Sequence, residues 1–95
     1  MRELGPENAW VHGNLADFLL NRRDFEGAVQ QAEQAVRLAP RDPAAHRLLG
    51  LALVAQLRWD DATAQFQASL EIDPTNDETR TYLTRALKLK GSPVP

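Results

Sequence analysis

Two histidines, His12 and His46, are the only imidazoles in a chain of 95 residues. A pair of imidazoles can hold a metal or exchange protons near neutral pH. Zinc, however, takes three or four protein ligands at ~2.0–2.1 Å. Equivalent positions on successive packed helices lie roughly 8–10 Å apart, and no Asp or Glu stands at a helical offset that would complete a set. No metal site is expected, and both rings read as packed or hydrogen-bonded between helices. Asp60-Asp61 and Asp24 with Glu26 are candidate acid–base carboxylates. They fall at the starts of expected helices, where negative charge favours the dipole, so a structural role is expected. Ser69 and Ser92 have no histidine within reach and no strained glycine turn to present a nucleophile. The five glycines form no phosphate-cradling loop. Arg22-Arg23 reads as a solvated loop pair. Neither catalysis nor a cofactor is implied.

The composition agrees with this. Eleven Lys+Arg against 13 Asp+Glu give a net charge of −2, with 43% hydrophobic and 25% charged residues. That balance belongs to a globular chain rather than a disordered tail. It lacks the basic excess that marks nucleic-acid binding. Cysteine is absent, which removes disulfides, thiolate metal sites and thiol nucleophiles. No apolar run approaches the ~18 residues of a membrane span, and Met1–Trp10 lacks the apolar core of a signal peptide. Membrane insertion is not expected, and a cytoplasmic location is favoured.

The elements that position these residues repeat. Pro6, Pro40 and Pro74 are equally spaced, and each follows an aliphatic side chain at the next position but one: Leu4, Leu38 and Ile72. The same offset carries His12 to His46, Phe25 to Trp59, and Ala28 to Ala62. It also carries Leu15 to Leu49 to Leu83, and Leu19 to Leu53 to Leu87. Within each period the apolar spacing follows i, i+3, i+4, i+7, as in Ala28, Ala32, Ala35 and Val36 or Ala62, Phe66, Ser69 and Leu70. Phe25 and Trp59 then plug the hairpins between paired helices. Polar breaks at Asn21–Asp24 and Gln56–Arg58 divide each period in two. Each second helix stops before its proline. Asp42-Pro43 restarts the chain as N-cap and first turn, and Thr75 and Glu78 are spaced as a capping box. Five helices are expected, at about 8–21, 25–38, 43–56, 59–72 and 77–90.

This unit resembles the tetratricopeptide repeat (TPR), whose pattern is W-x2-L-G-x2-Y, A-x3-F, P. The second copy fits best, with His46-x2-Leu49-Gly50-x2-Leu53, Ala62-x3-Phe66 and Pro74. In the first copy Ala16 replaces the glycine and Ala32 the aromatic; the third keeps Leu83 and Leu87. Histidine replaces the tryptophan in both full copies. The resemblance implies an all-α, right-handed α-solenoid of helix–turn–helix units. The expected division is 1–8 as the end of a preceding repeat or a tail, 9–42 and 43–76 as two repeats, 77–91 as a C-terminal capping helix, and 92–95 as a tail.

The two ends differ. Tyr82, Leu83, Ala86, Leu87 and Leu89 form the apolar stripe of the last helix. Glu78, Arg80, Arg85, Lys88 and Lys90 decorate its other side, with Lys88 and Lys90 favouring the dipole and Gly91 expected as C-cap. At the start, Glu3-Leu4-Gly5-Pro6 reads as the close of a preceding repeat, and Val11, Leu15 and Phe18 would lie under its helices. Leaving such side chains bare forgoes roughly 1.5–3 kcal/mol each. Either a longer array covers that row, or a second copy or partner does, making homo-oligomerisation through this face an expectation.

In TPR proteins the first helix of each unit lines a concave face, and the resemblance implies the same here. With the Leu15/Leu49/Leu83 row buried, that face carries Trp10, Gly13, Asn14, Asp17 and Asn21 from the first copy. The second supplies Arg47, Leu48, Leu51, Val54 and Ala55, and the third Glu78, Thr81, Tyr82, Arg85 and Lys88. The lysine/asparagine clamp with which some TPR domains hold the carboxylate of EEVD-type tails is not expected. Its positions carry Gly13, Asp17, Leu48, Glu78 and Tyr82. The middle of the groove is apolar through Leu48, Leu51 and Val54, between Trp10 and Tyr82, with Asn14, Asp17, Asn21 and Arg85 as rim. It suits an amphipathic helix or apolar peptide, unless these side chains pack on flanking helices or under the tail Ser92–Pro95. Three roles follow: a non-catalytic protein-interaction module, a regulatory or substrate-presenting segment of a larger enzyme, or a self-assembling unit.

Overall fold

The computed structural model describes residues 6–91. Five helices follow in order: α1 (Pro6–Asn21), α2 (Phe25–Leu38), α3 (Pro43–Ala55), α4 (Trp59–Ile72) and α5 (Asp77–Gly91). The readings placed on Glu3–Gly5 and on the tail Ser92–Pro95 lie outside the described residues. Four helices match the periodicity to within a residue at each end. The first starts earlier than expected. By register with α3 and α5 it would begin at residue 9, but Pro6 opens it, adding nearly a turn. Proline suits that place because its missing N–H would be unpaired there anyway.

Each helix packs on its sequence neighbours, and α3 also touches both α1 and α5, whereas α2 and α4 do not meet. The array therefore bends around α1, α3 and α5, and extends 55 × 29 × 17 Å. Its core joins Ala16, Ala28 and Ala32 of the first pair to Leu49, Leu53, Ala62 and Phe66 of the second, with Ala86 of α5 closing it. Gly50 is required by this packing: a Cβ there would stand 2.5 Å from the Phe66 ring. Ser69, fully buried, donates through Oγ to the Pro43 carbonyl at 2.9 Å and ties α4 to the start of α3. This is why the polar member of the α4 apolar row is tolerated inside.

Both hairpin turns use the same unusual backbone. Arg23 and Leu57, which hold the same place in successive repeats, have φ of 65° and 62°, in the left-handed region that non-glycine residues adopt at a cost. After the first, Asp24 caps α2 by accepting from the Gly27 N–H at 3.1 Å. After the second, Arg58 supplies no cap hydrogen bond to α4 and pairs instead with Asp61 at 2.9 Å. Asp42 caps α3 as expected, accepting from Ala44 N–H at 3.0 Å.

Three expectations are corrected. Asn76, not Thr75, caps α5, accepting from the Thr79 N–H at 2.9 Å. Thr75 is occupied by Asp73, which its hydroxyl reaches at 2.7 Å, and Glu78 accepts from Tyr82 instead of closing a box. Gly91 ends α5 as a helical residue, and no described glycine has positive φ. In α5, Ala86 is buried and Tyr82 and Leu83 half-buried, but Leu87 and Leu89 are exposed. Leu87 sits in the register of Leu53, which is buried in the core; among the described residues no sixth helix follows α5 to cover it. No helix among the described residues is long and apolar enough to cross a membrane.

Candidate partner-binding groove

Helices α1, α3 and α5 share one side of the bend, so side chains at equivalent positions of the repeat line up along it. Between α1 and α3 lies a cavity of about 330 Å³ that gathers Trp10, Asn14, Asp17, Arg47 and Leu48. Between α3 and α5 a second, of about 230 Å³, gathers Leu51, Val54, Tyr82 and Arg85. Of the side chains expected at the groove's middle, ends and rim, only Asn21 lines neither, standing exposed at the end of α1; Ala55, Glu78, Thr81 and Lys88 of the expected concave face line neither hollow as well. The groove is thus two hollows rather than one continuous floor. Leu48, Leu51 and Val54 are half-buried and pack against the core, so the domain's own packing takes part of their surface.

The two hollows differ in chemistry. The first is mixed: Asp17, Asp42 and Arg47 stand around an apolar base of Ala9, Ala35 and Ala45, with Trp10 68% exposed at the mouth. The second is apolar apart from Arg85 and the Tyr82 hydroxyl. Its floor is the Phe66 ring, tilted against Tyr82 with centroids 5.8 Å apart, a favourable aromatic separation. The Tyr82 hydroxyl donates to Glu78 Oε2 at 3.0 Å. Burial pushes its pKa above the ordinary 10.0, the Glu78 hydrogen bond and charge add to the rise, and Arg47 and Arg85 oppose it. Arg85 lines this hollow and Arg47 the first.

Sequence reasoning missed Phe66, Ala86 and Leu89 in the second hollow, and Ala35 and Asp42 in the first. Leu89 was within reach, standing one helical turn after Arg85 on the same face. Phe66 and Ala35 belong to second helices and back the hollows from the core, both fully buried.

The histidines take the interhelical role. His12 Nδ1 lies 2.6 Å from the Gln31 side-chain amide and His46 Nδ1 lies 2.8 Å from that of Gln65, the same pair one repeat on. His46 Nε2 donates to the Pro40 carbonyl at 2.8 Å. Trp59 is half-buried against the core, and Phe25 is half-buried at the matching turn. Arg22 is more than a solvated loop residue: its guanidinium lies 5.6 Å from the centre of the Phe18 ring, in cation–π range.

The row at the start of the array is open. Val11, Leu15 and Phe18 are 54%, 39% and 54% exposed, while their counterparts Ala45, Leu49 and Ala52 are 3%, 5% and 0% exposed. Leu15 is therefore not buried as its register suggested. α1 and α2 cover the second row, and no described helix covers the first.

A family model of the tetratricopeptide repeat matches residues 14–77. The chain belongs to the tetratricopeptide repeat family. The TPR domain of Arabidopsis OM64 has the same fold: TM-score 0.82 at 26% identity, over 86% of this chain and 68% of that one. A small glutamine-rich tetratricopeptide repeat-containing protein 2 from Mycosarcoma maydis is 29% identical over 75 residues, 79% of this chain. The chain spans 21% of the length of that curated relative. An all-α TPR solenoid is a protein-interaction scaffold, and its binding surface is what remains to be assigned.

Proposed function

We propose that this TPR domain is a non-catalytic scaffold that takes a peptide or amphipathic helix of a partner protein along its concave groove. The observation that carries the reading is the pair of hollows on the α1–α3–α5 side, lined by Trp10, Asn14, Asp17, Arg47 and Leu48 at one and by Leu51, Val54, Tyr82 and Arg85 at the other. Leu51 and Val54 supply contact area, Trp10 and Tyr82 aromatic anchors, and Asn14, Asp17, Arg47 and Arg85 a polar rim. Interfaces favour such an apolar centre with a polar border. An EEVD-type carboxylate clamp is not proposed, because Gly13, Asp17, Leu48, Glu78 and Tyr82 supply neither lysine nor asparagine. Leu51→Arg is expected to abolish retention of partners that the unaltered domain captures in a pull-down, with the helical circular dichroism spectrum unchanged. Undiminished retention by the folded variant removes the groove from the proposal.

The exposure of Val11, Leu15 and Phe18 favours a second reading, self-association through the open end. Contiguous apolar surface of this kind commonly marks a contact. Sedimentation over a concentration series is expected to show the apparent mass rising. A strict monomer at the highest concentration ends that reading.

A further inference from the structure

α3 and α5 show what an interior row of this array is made of. On α3 it is Ala45, Leu49 and Ala52, all buried under the first repeat. On α5 it is Thr79, Leu83 and Ala86, with Thr79 and Ala86 buried against the second. In both rows a leucine stands between two small residues, and the small ones let the neighbouring helix pair approach closely. The corresponding row of α1 is Val11, Leu15 and Phe18. A helix pair seated on α1 as α1 and α2 sit on α3 would meet an isopropyl group and a phenyl ring where α3 offers methyls. Overfilling a joint in this way is destabilising. The row therefore suits a partner that takes protruding side chains between its own, not a repeat at interior spacing.

The far end of the described array does not supply one. The α5 row in register with His46, Gly50 and Leu53 is Arg80, Thr84 and Leu87; all three are exposed, and Arg80 is held by Asp77. The α1 row is instead complementary to itself. Val11, Leu15, Phe18 and Arg22 are spaced by 4, 3 and 4 positions, the alternation of a coiled-coil seam. The Arg22 N–H still bonds the Phe18 carbonyl at 3.1 Å, so Arg22 keeps the helical register, and its guanidinium lies over the Phe18 ring. On the groove side the seam is flanked by Asn14 and Asn21, which carry no charge. Two such seams run antiparallel set Leu15 against Phe18, and Val11 against the aliphatic stem of Arg22, in two equivalent halves. Run parallel, they would set Arg22 against Arg22.

We infer that a second copy of this chain covers the open end, its α1 packed antiparallel on α1 with Leu15 and Phe18 at the centre. This rests on the self-association reading above and adds the orientation and register of the pair. The seam is short beside the ~800 Å² per partner of a standard interface, so the dimer is reversible and forms in concentrated solution.

Sedimentation equilibrium of the whole chain from about 10 μM to about 1 mM tests this. The unaltered chain is expected to move from 10.6 kDa toward twice that mass. Val11→Lys, which faces Arg22 of the other copy, is expected to weaken the dimer at least about tenfold. Adding Arg22→Glu is expected to restore it to within about threefold of the unaltered chain, because each lysine then meets a glutamate. Positions 11 and 22 are about three turns, ~16 Å, apart on one helix, so the rescue acts between copies, and misfolding cannot produce it. A parallel pair would gather lysine on lysine and glutamate on glutamate and lose the dimer further. Phe18→Asp, with its helical circular dichroism unchanged, separates the two levels. If it abolishes the dimer but Arg22→Glu fails to rescue Val11→Lys, the open end stands as the contact and the antiparallel register falls. If it leaves the dimer intact, or if the unaltered chain is a monomer throughout, both fall.

Discussion

The first and second repeats place the same backbone in the same register and fill it differently. Where α1 meets α2, Ala16 faces Ala32, and both are fully buried. Where α3 meets α4, Gly50 faces Phe66, and the ring occupies the space that a methyl on residue 50 would need. One pair is small against small, the other nothing against large. The outward rows diverge as well: Leu49 is buried under the first repeat, whereas Leu15, its counterpart, is 39% exposed. Residue type and helical position therefore do not set burial in a repeat array; the neighbour does. The second repeat, flanked on both sides by α1, α2 and α5, holds the largest fully buried side chain. The stability of the domain should be concentrated there.

The largest effect that tests this contrast is at Phe66. Phe66→Ala empties the joint between α3, α4 and Tyr82 and is expected to destabilise the domain by about 3–5 kcal/mol. Gly50→Ala, by contrast, overfills the site and is expected to cost about 1–3 kcal/mol, because the fully buried ring has nowhere to retreat. Combined, the two should be strongly non-additive. With the ring gone, Ala at position 50 meets no obstacle and gains the helix propensity that glycine lacks, about 1 kcal/mol. The double substitution then imitates the Ala16/Ala32 joint of the first repeat. Urea unfolding of the four proteins measures the cycle, and additive losses would mean that Gly50 and Phe66 do not share one site.

Most of the scaffold is legible in the sequence because its signals are local and repeated. Helix bounds follow from the helical periodicity of apolar residues and from breaks that recur once per repeat, so each copy checks the other. The histidine pair is legible as interhelical for the same reason, since two equivalent residues in successive units demand an equivalent role. What escapes depends on what lies beside a residue. Leu15, Leu87 and Leu89 have the pattern of core positions but stand at ends of the described array, where nothing covers them. The division of the groove into two hollows depends on Leu48 and Leu51 turning partly into the core. No spacing rule specifies that turn. The capping residue of α5 is displaced by one position because two candidate side chains compete. Asp73 engages Thr75, leaving Asn76 to reach the helix.

The turns that open the second helices give the smallest test of the comparison. Both place a left-handed residue, Arg23 or Leu57, before the N-cap. In the first repeat, Asp24 caps Gly27, and the missing side chain at 27 is what leaves room for the carboxylate: a Cβ there would lie 2.7 Å from Asp24 Oδ2. The second repeat reverses the arrangement, with Arg58 at the cap and Asp61 three positions on, joined by an exposed ion pair. A side-chain cap contributes about 1 kcal/mol, whereas an exposed pair of this kind contributes a few tenths of that to about as much at best. Asp24→Ala should therefore lower stability by about 1 kcal/mol, and Arg58→Ala by less than about half of that. Arg58→Asp alone would crowd Asp60 and Asp61 at one helix start, so the change that copies the first repeat is Arg58→Asp together with Asp61→Gly. The glycine forfeits some helix propensity, although least in the first turn, and the new cap exceeds the ion pair it replaces. A net gain of about 0.5 kcal/mol is expected in urea unfolding. A loss would show that the Arg58–Asp61 pair, and not the absence of a cap, is what the α3–α4 turn depends on.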